Sequence, residues 1–489
     1  MRTTKAAVDR RAAAFTERQS VYEFLCQAYE GGTVYREANL FRHSPRETEN
    51  DFNRRAAQAV YPNLVRPTLG IYRDHLYKRG EAVRRDIDDA GWQAFSTNCD
   101  LGGHDLNAFW SGVAIHELLF GWMGVLVDSP VLPQLDRPLT QADVNDGLTR
   151  PYFVAVCPME IADWSLDEYG QLNWVHLLCA YTDNTDPMAT PIETTLHRFY
   201  GRNEWWVYDG DGNLVSNGLN PLGRVPFVVV RFASSMRHPF IGTSFMEDYA
   251  GLNRAIMNSI SLRHDFLAKN SLQILTLQLM PALADDGGGS EIVIRNLIEY
   301  AGEHAPQFVG PDVSGAQWMF QHVQDLVGWM RQMAMLQDVE VQVQAAESGV
   351  AKQVDFEQTN AALAAFADGL QNAEIEATKL WFAWQGREWS DAYVIDYPDT
   401  FNVRSLEADL ASALAVREVY GDLSPTVVAE SLGAVADRLL DHPDAALSEQ
   451  IEDELTTNAG SLTAEAVDRG RMATESTSRE PFEEPETVV

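Results

Sequence analysis

The chain has 489 residues, 45% apolar and 10% aromatic, enough for packed cores and for about three structural units. Its 37 Lys and Arg stand against 71 Asp and Glu, a formal net charge of −34. A surface of that sign repels free duplex DNA and excludes an ordinary nucleic-acid binder, while 22% charged residues is not the profile of a wholly disordered chain.

Cys26, Cys99, Cys157 and Cys179 are widely spread with no CxxC pair, so reduced thiols in a cytosolic setting are expected. Residues 1–30 alternate charge with alanine and lack the apolar core of a signal peptide. The longest apolar stretch, 118–127, is about half of what a bilayer span needs. Neither secretion nor a membrane anchor is expected.

Residues 16–78 read as helices joined by short breaks, with Tyr22, Leu25 and Tyr29 at helical spacing and Pro62 and Pro67 as punctuation. A helix over 106–123, carrying Phe109, Val113, Ile115 and Leu119, feeds a buried strand at 124–128. From 152 to 232 the texture becomes short β-prone runs at 152–156, 172–178, 194–200, 204–208 and 225–230. Asp209-Gly210-Asp211-Gly212-Asn213 resembles the start of a calcium loop. However, Leu214 stands where the loop glycine is needed and Asn220 where the last glutamate is needed, so a β-hairpin turn is expected.

Phe245, Tyr249, Leu252, Ile256, Ile260 and Leu267 recur at helical intervals and predict one amphipathic helix of about 28 residues, on the order of 40 Å long. A β-like run at 272–280, a glycine-rich loop at 281–290 and a strand at 291–295 follow. Met319, Val323, Leu326, Met330 and Met333 then mark a second long helix. A chain reversal through the β element sets the two helices side by side, as a stalk with a tip. Residues 337–353 form a polar interruption with alternating Val339, Val341 and Val343. A third helix carries Leu363, Phe366, Leu370, Ala373, Ala377, Leu380 and Trp384, with Asp355 and Gln358 placed to cap its start. These stripes serve either packing within one protomer or a seam between copies. A strand at 394–397 is expected to rejoin the earlier β region. Residues 405–455 read as helical with breaks at Pro425 and Pro443, and 456–489 as an acidic disordered tail.

Tests for chemistry return little. No GxxxxGK[ST] phosphate loop and no GxSxG nucleophile elbow occurs. His116-Glu117 opens like a zinc-protease helix, but the second histidine position holds Phe120. Cys99 and His104 are a C-x4-H pair without further ligands, more readily incidental than metal-binding. Trp164, Trp174, Trp205, Trp206, Trp318, Trp381 and Trp384 could stack on single strands, yet no basic groove accompanies them, and core packing is the stronger reading. Catalytic residues, cofactor sites and metal sites are therefore all read as none.

The order of elements resembles that of tailed-bacteriophage portal proteins, over roughly residues 51–410. The segments that carry the resemblance are Tyr61-Pro62-Asn63-Leu64-Val65, Asn98-Cys99-Asp100-Leu101-Gly102-Gly103 and the strand at 124–128. Asn220-Pro221-Leu222-Gly223-Arg224-Val225-Pro226, Leu252-Asn253-Arg254 and Glu347-Ser348-Gly349-Val350-Ala351-Lys352 complete the set. The resemblance implies a mixed α/β (α+β), helix-rich fold with a wing (1–241), a first stem helix (242–271), a clip (272–314) and a second stem helix (315–336). A tunnel loop (337–354), a long helix returning to the wing (355–404), a helical crown (405–455) and the tail (456–489) follow.

By the same resemblance, Gln342, Gln344, Glu347, Ser348 and Lys352 are the DNA-facing candidates. Lys352 has a surface ion pair as its plainer role. Asp285, Asp286, Glu291 and Arg295 are the candidates for docking the terminase or a head-completion adaptor, and Tyr249, Leu252, Ile256, Leu326 and Met330 the candidates for stem packing. The implied assembly is a homo-oligomeric ring of about twelve copies at one capsid vertex. Its implied partners are the terminase large subunit, the major capsid and scaffolding proteins, the adaptor, and double-stranded DNA passing without sequence specificity. The protein is then a structural component of the virion, assembled in the host cytoplasm, with ATP hydrolysis left to the terminase. An anionic wall suits a conduit, because phosphate contacts would hold the duplex, and it makes ring assembly salt-sensitive. Two rival readings are another phage head structural or adaptor protein and an uncharacterised hydrolase built on the β region.

Overall fold

The computed structural model describes residues 4–42, 45, 47–77, 83–130, 150–184, 188, 190–270, 274–276, 307–309, 314–334 and 349–398, with short stretches between 413 and 454. The chain divides into two units, Met1–Phe401 and Asn402–Val489. In the second, the described stretches 413–417, 427–429 and 431–433 are helical, and Ala413 and Val428 are buried.

The first unit mixes helix and sheet. It opens with α1 (Lys5–Val8), α2 (Ala13–Glu30), α3 (Gly32–Asn39), α4 (Glu49–Gln58) and α5 (Val65–Leu76). Tyr22, Leu25 and Ala28 form the buried stripe of α2. Thr48 caps α4 by accepting from the Asp51 amide, and Pro67 sits in the first turn of α5, where a missing N–H leaves no bond unmade. After β1 (Arg84–Asp86), Asp89 caps α6 (Ala90–Ser96) and Asp105 caps α7 (Leu106–Phe120). Gly121 ends α7 at φ +85°, where a Cβ would lie 2.3 Å from the Thr243 backbone, so both conformation and space demand glycine.

The apolar run after α7 is β2 (Trp122–Asp128), the buried centre of an antiparallel sheet ordered β3 (Tyr152–Val156), β2, β9 (Phe227–Arg231). A second sheet is an antiparallel meander of β4 (Ile161–Leu166), β5 (Leu172–Asp183), β6 (Ile192–Gly201), β7 (Glu204–Tyr208) and β8 (Leu214–Leu219). The turn from β7 to β8 is the expected hairpin: the Asp209 carboxylate accepts from the amides of Asp211 at 2.9 Å and Asn213 at 2.8 Å. The edge strands β4 and β8 carry no clean alternation. Register shifts interrupt β4, and β8 is mostly exposed, so neither was legible as a strand.

Then follow α8 (Glu247–Asn270), β10 (Ile274–Thr276), β11 (Gln307–Val309), α9 (Ser314–Met333), α10 (Gly349–Trp384) and β12 (Val394–Asp396). Two expectations are corrected. The helix expected to start at Asp355 starts at Gly349, since residues 350–354 hold no breaker, so Asp355 and Gln358 lie inside it and do not cap it. Residues 394–396 pair with β1 rather than with the sheets of 152–232, with Arg84 opposite Asp396.

Leu363, Phe366, Leu370, Ala373, Ala377 and Leu380 of α10 are all buried within the protomer, which settles the two readings of that stripe in favour of the internal core. Tyr72, Phe245 and Phe366 meet edge to face and join α5, the approach to α8, and α10. Trp381 packs against Trp92 and Phe95, as the core reading of the tryptophans expects, but Trp318 does not: it is 77% exposed.

Candidate functional site

Two helices and a small β pair form a hairpin. Twenty-four residues of α8 and twenty of α9 give lengths of about 36 and 30 Å, and β10 and β11 pair antiparallel beyond their far ends, with Leu275 opposite Phe308. Tyr249 and Ile256 of α8 and Leu326 and Met330 of α9 are buried, and Leu252 is half-buried, so the five residues singled out for stem packing lie on or beside the core. Near the β end, the Arg263 guanidinium lies 4.8 Å from the Phe320 ring and ties the two helices by a cation–π contact.

One side of α8 is fixed along much of its length by polar residues that the apolar pattern could not reveal. The fully buried Asn253 donates from Nδ2 to the Pro62 carbonyl at 2.8 Å and accepts from the Leu64 amide at 3.1 Å. Asn258 likewise donates to the Asn39 carbonyl and accepts from the Phe41 amide. Ser261 accepts from Arg55 at 3.2 Å, and Asp265 pairs with Arg54 at 3.1 Å. Asn253, Ser261 and Asp265 are buried on one helix, and together with Asn258 they bind α8 to the loops and helices of residues 39–65. Poor helix formers recurring on one face, Asn253 and Asn258 above all, were the available signal.

The second helix of the hairpin leaves large apolar side chains exposed among polar ones. Trp318 and Trp329 stand eleven residues apart on α9, about three turns, and Trp329 is 56% exposed; Phe320 and Met333 are exposed as well. Beside Trp329 and Met333 a cleft of about 1180 Å³ opens between α2, α8 and α9, floored by Val21, Phe24 and Leu252. Arg254 stacks over Phe24 at 4.6 Å and Phe41 at 5.3 Å at its margin.

Of the remaining candidates, Gln342, Gln344, Glu347, Ser348, Asp285, Asp286, Glu291 and Arg295 lie outside the described residues. The strand expected at 291–295 does too. Lys352 belongs to the first turn of α10 rather than to a loop. Cys99 and His104 do not converge: the thiol points to the Asp105 carbonyl, while His104 Nδ1 meets Asp100 at 2.7 Å. His116 contacts the Gly112 carbonyl of its own helix. Among the described residues, no group of three His, Cys, Asp or Glu could hold a metal ion, and no helix is long and apolar enough to cross a membrane.

Two fully buried carboxylates lie on α7 and α10. Glu374 on α10 is paired to Arg85 and accepts from the Tyr397 hydroxyl at 2.6 Å. Glu117 on α7 has no hydrogen-bond partner for either oxygen, and burial pushes its carboxyl up to about 8. Burial therefore favours its neutral, protonated form.

No protein-family model and no curated protein matches the chain. Solved structures that resemble it include a chain of the virion of a native gene transfer agent particle, at 11% identity and a TM-score of 0.44, covering 80% of this chain and 95% of that one. A chain of the neck of an empty gene transfer agent particle, determined with C6 symmetry, matches at 10% identity and a TM-score of 0.43, covering 81% and 95%. At these scores neither likeness bears on function.

Proposed function

We propose that the chain is a portal protomer, a structural subunit that closes with further copies into a ring at one capsid vertex and there passes double-stranded DNA during packaging and ejection. The observation that carries this reading is the hairpin of α8 and α9. It ends in a small β pair and leaves Trp318 and Trp329 uncovered on its outer side, although the protomer has ample core elsewhere. Large aromatic side chains aligned along one exposed helix face suit a surface that another copy covers. The cleft lined by Phe24, Leu252, Trp329 and Met333, with Glu247, Asp248 and Arg254 also in its lining, extends that surface.

In this reading the hairpin is the stem, the β pair belongs to the clip, and α10 packs the stem side of the protomer against the sheets. The net charge of −34 per copy favours sliding of the duplex over retention. The role is structural, without catalysis or cofactor. The partners are the terminase large subunit and the head-completion adaptor at the clip, and capsid and scaffolding proteins at the outer rim, all within the virion. Particle mass and negative-stain images of the purified chain at graded salt test the reading. Annular particles with a central hole are expected, and a compact monomer throughout contradicts it.

A further inference from the structure

One face of the five-stranded sheet is crossed by the N-terminal arm, residues 4–12. Val8 is completely buried there, the Ala12 amide donates to the Ala162 carbonyl at 2.9 Å, and Arg10 both pairs with Asp163 at 2.6 Å and lies 5.0 Å from the Trp174 ring. Beneath the arm sit His176 of β5 and His197 of β6, 0% and 3% exposed, with His176 Nε2 3.0 Å from His197 Nδ1 and the His176 ring stacked 4.1 Å from Phe199.

The hydrogen bonding fixes how many protons this pair can hold. The Val8 backbone hydrogen-bonds the His197 ring, and placing that contact at Nε2 leaves Nδ1, which faces His176, as the acceptor. His176 must then donate from Nε2, and its Nδ1 is left a bare acceptor; that atom is buried without a partner. In this arrangement each ring is neutral, and the donors run in one direction, from His176 through His197 to the arm. A further proton has two destinations. On His176 Nδ1 it is a buried N–H with no acceptor, and on His197 Nδ1 it faces another donor.

The charged and titratable groups around the pair are Asp9, Arg10 and Arg11 of the arm, Asp163 of β4, Tyr208 of β7 and Asp209 of the following turn. Arg10 and Arg11 oppose a second cation, and Asp9 and Asp209 favour one only at His197. Burial outweighs them all, holding both imidazoles below their ordinary range and His176 down at about 3.

We infer that the His176–His197 pair is a proton-operated latch: its neutral form holds the N-terminal arm on the sheet, and acidification releases the arm and uncovers the aromatic face of Trp174 and Phe199. The sign follows from linkage. Both histidines titrate lower when covered than when free, so docking is favoured fully above the free value of about 6.5. It weakens as pH falls, by up to tenfold per pH unit for each histidine.

Hydrogen–deuterium exchange on the full chain tests this, read as protection factors corrected for the intrinsic pH dependence of exchange. Protection over residues 5–14 is expected to drop at least 100-fold between pH 7 and 4.5, while residues 174–180 of β5 keep theirs. In His176→Gln, which retains a donor toward His197 but loses one titration, the slope of log protection against pH should halve. Asp163→Asn, which removes the Arg10 tether, should raise the pH at which half of the protection is lost. Protection of the arm that is flat with pH, or an acid release unchanged in slope by His176→Gln, overturns the latch. The latter result would transfer the release to the arm's carboxylate contacts.

Discussion

Arg85 grips Glu374 with two hydrogen bonds, from Nε at 2.5 Å and Nη2 at 3.1 Å, and so joins the short strand β1 to the middle of the long helix α10. Asn107 accepts from the same guanidinium at 2.6 Å and links α7 to the pair. Glu374 is fully buried, so the charge is tolerable only while its partners remain. Arg85→Met should therefore cost about 3–5 kcal/mol of unfolding free energy, measured by urea titration. Pairing it with Glu374→Leu should recover most of the loss, because the isolated charge is then gone.

Glu117 behaves in the opposite sense. Its carboxyl is raised from 4.5 to about 8 in the folded protein, so between those values the native state holds a proton that the unfolded chain has released. Stability is then fully present below about 4.5 and is lost as pH rises toward 8, with a slope of up to about 1.4 kcal/mol per unit. Glu117→Gln removes that slope. Thermal melts at pH 5 and pH 8 should show the variant gaining on the parent at pH 8 and not at pH 5.

Asn253 is the hinge pin between α8 and the segment 62–64. Asn253→Ala leaves the Leu64 amide and the Pro62 carbonyl, both partly buried, without their side-chain partner, at about 1–3 kcal/mol in all. Limited proteolysis should show earlier cutting around residues 59–65 than in the parent.

Leu370 and Trp329 separate folding from assembly. Leu370 is completely buried in the protomer, so Leu370→Asp should lower the yield of folded protein rather than merely stop association. Trp318→Ser with Trp329→Ser changes exposed positions, so the melting curve of the protomer should move by no more than about 0.5 kcal/mol per site. Sedimentation velocity should show its assemblies weakened at least tenfold.

Much of this fold could be read from spacing. The stripes of α8, α9 and α10 have long, regular periods, and period is a strong signal. The continuous apolar run of β2 was legible because a strand covered on both faces needs no alternation. The start of α10 was misplaced because Asp355 looks like a cap, yet Gly349-Val350-Ala351-Lys352 already permits a helix. The partnership of β12 with β1 depends on residues about 300 positions apart, which no local pattern encodes. For the same reason the buried polar contacts of Arg85 and the two histidines were invisible, and Asn253 was marked only as a poor helix former: each acquires its role from a partner elsewhere in the chain. Trp318 was misjudged in the other direction, since composition favours burial of tryptophan and cannot register which helix face the fold leaves exposed.

The central claim is that copies of this chain close around a hole through contacts on the outer side of the hairpin. Single-particle imaging of the parent and the Trp318→Ser, Trp329→Ser variant, side by side at matched salt, tests it most directly. The account predicts rotationally symmetric rings with an open centre for the parent and their loss in a still-folded variant. Monomers from the parent, or intact rings from the variant, would contradict it.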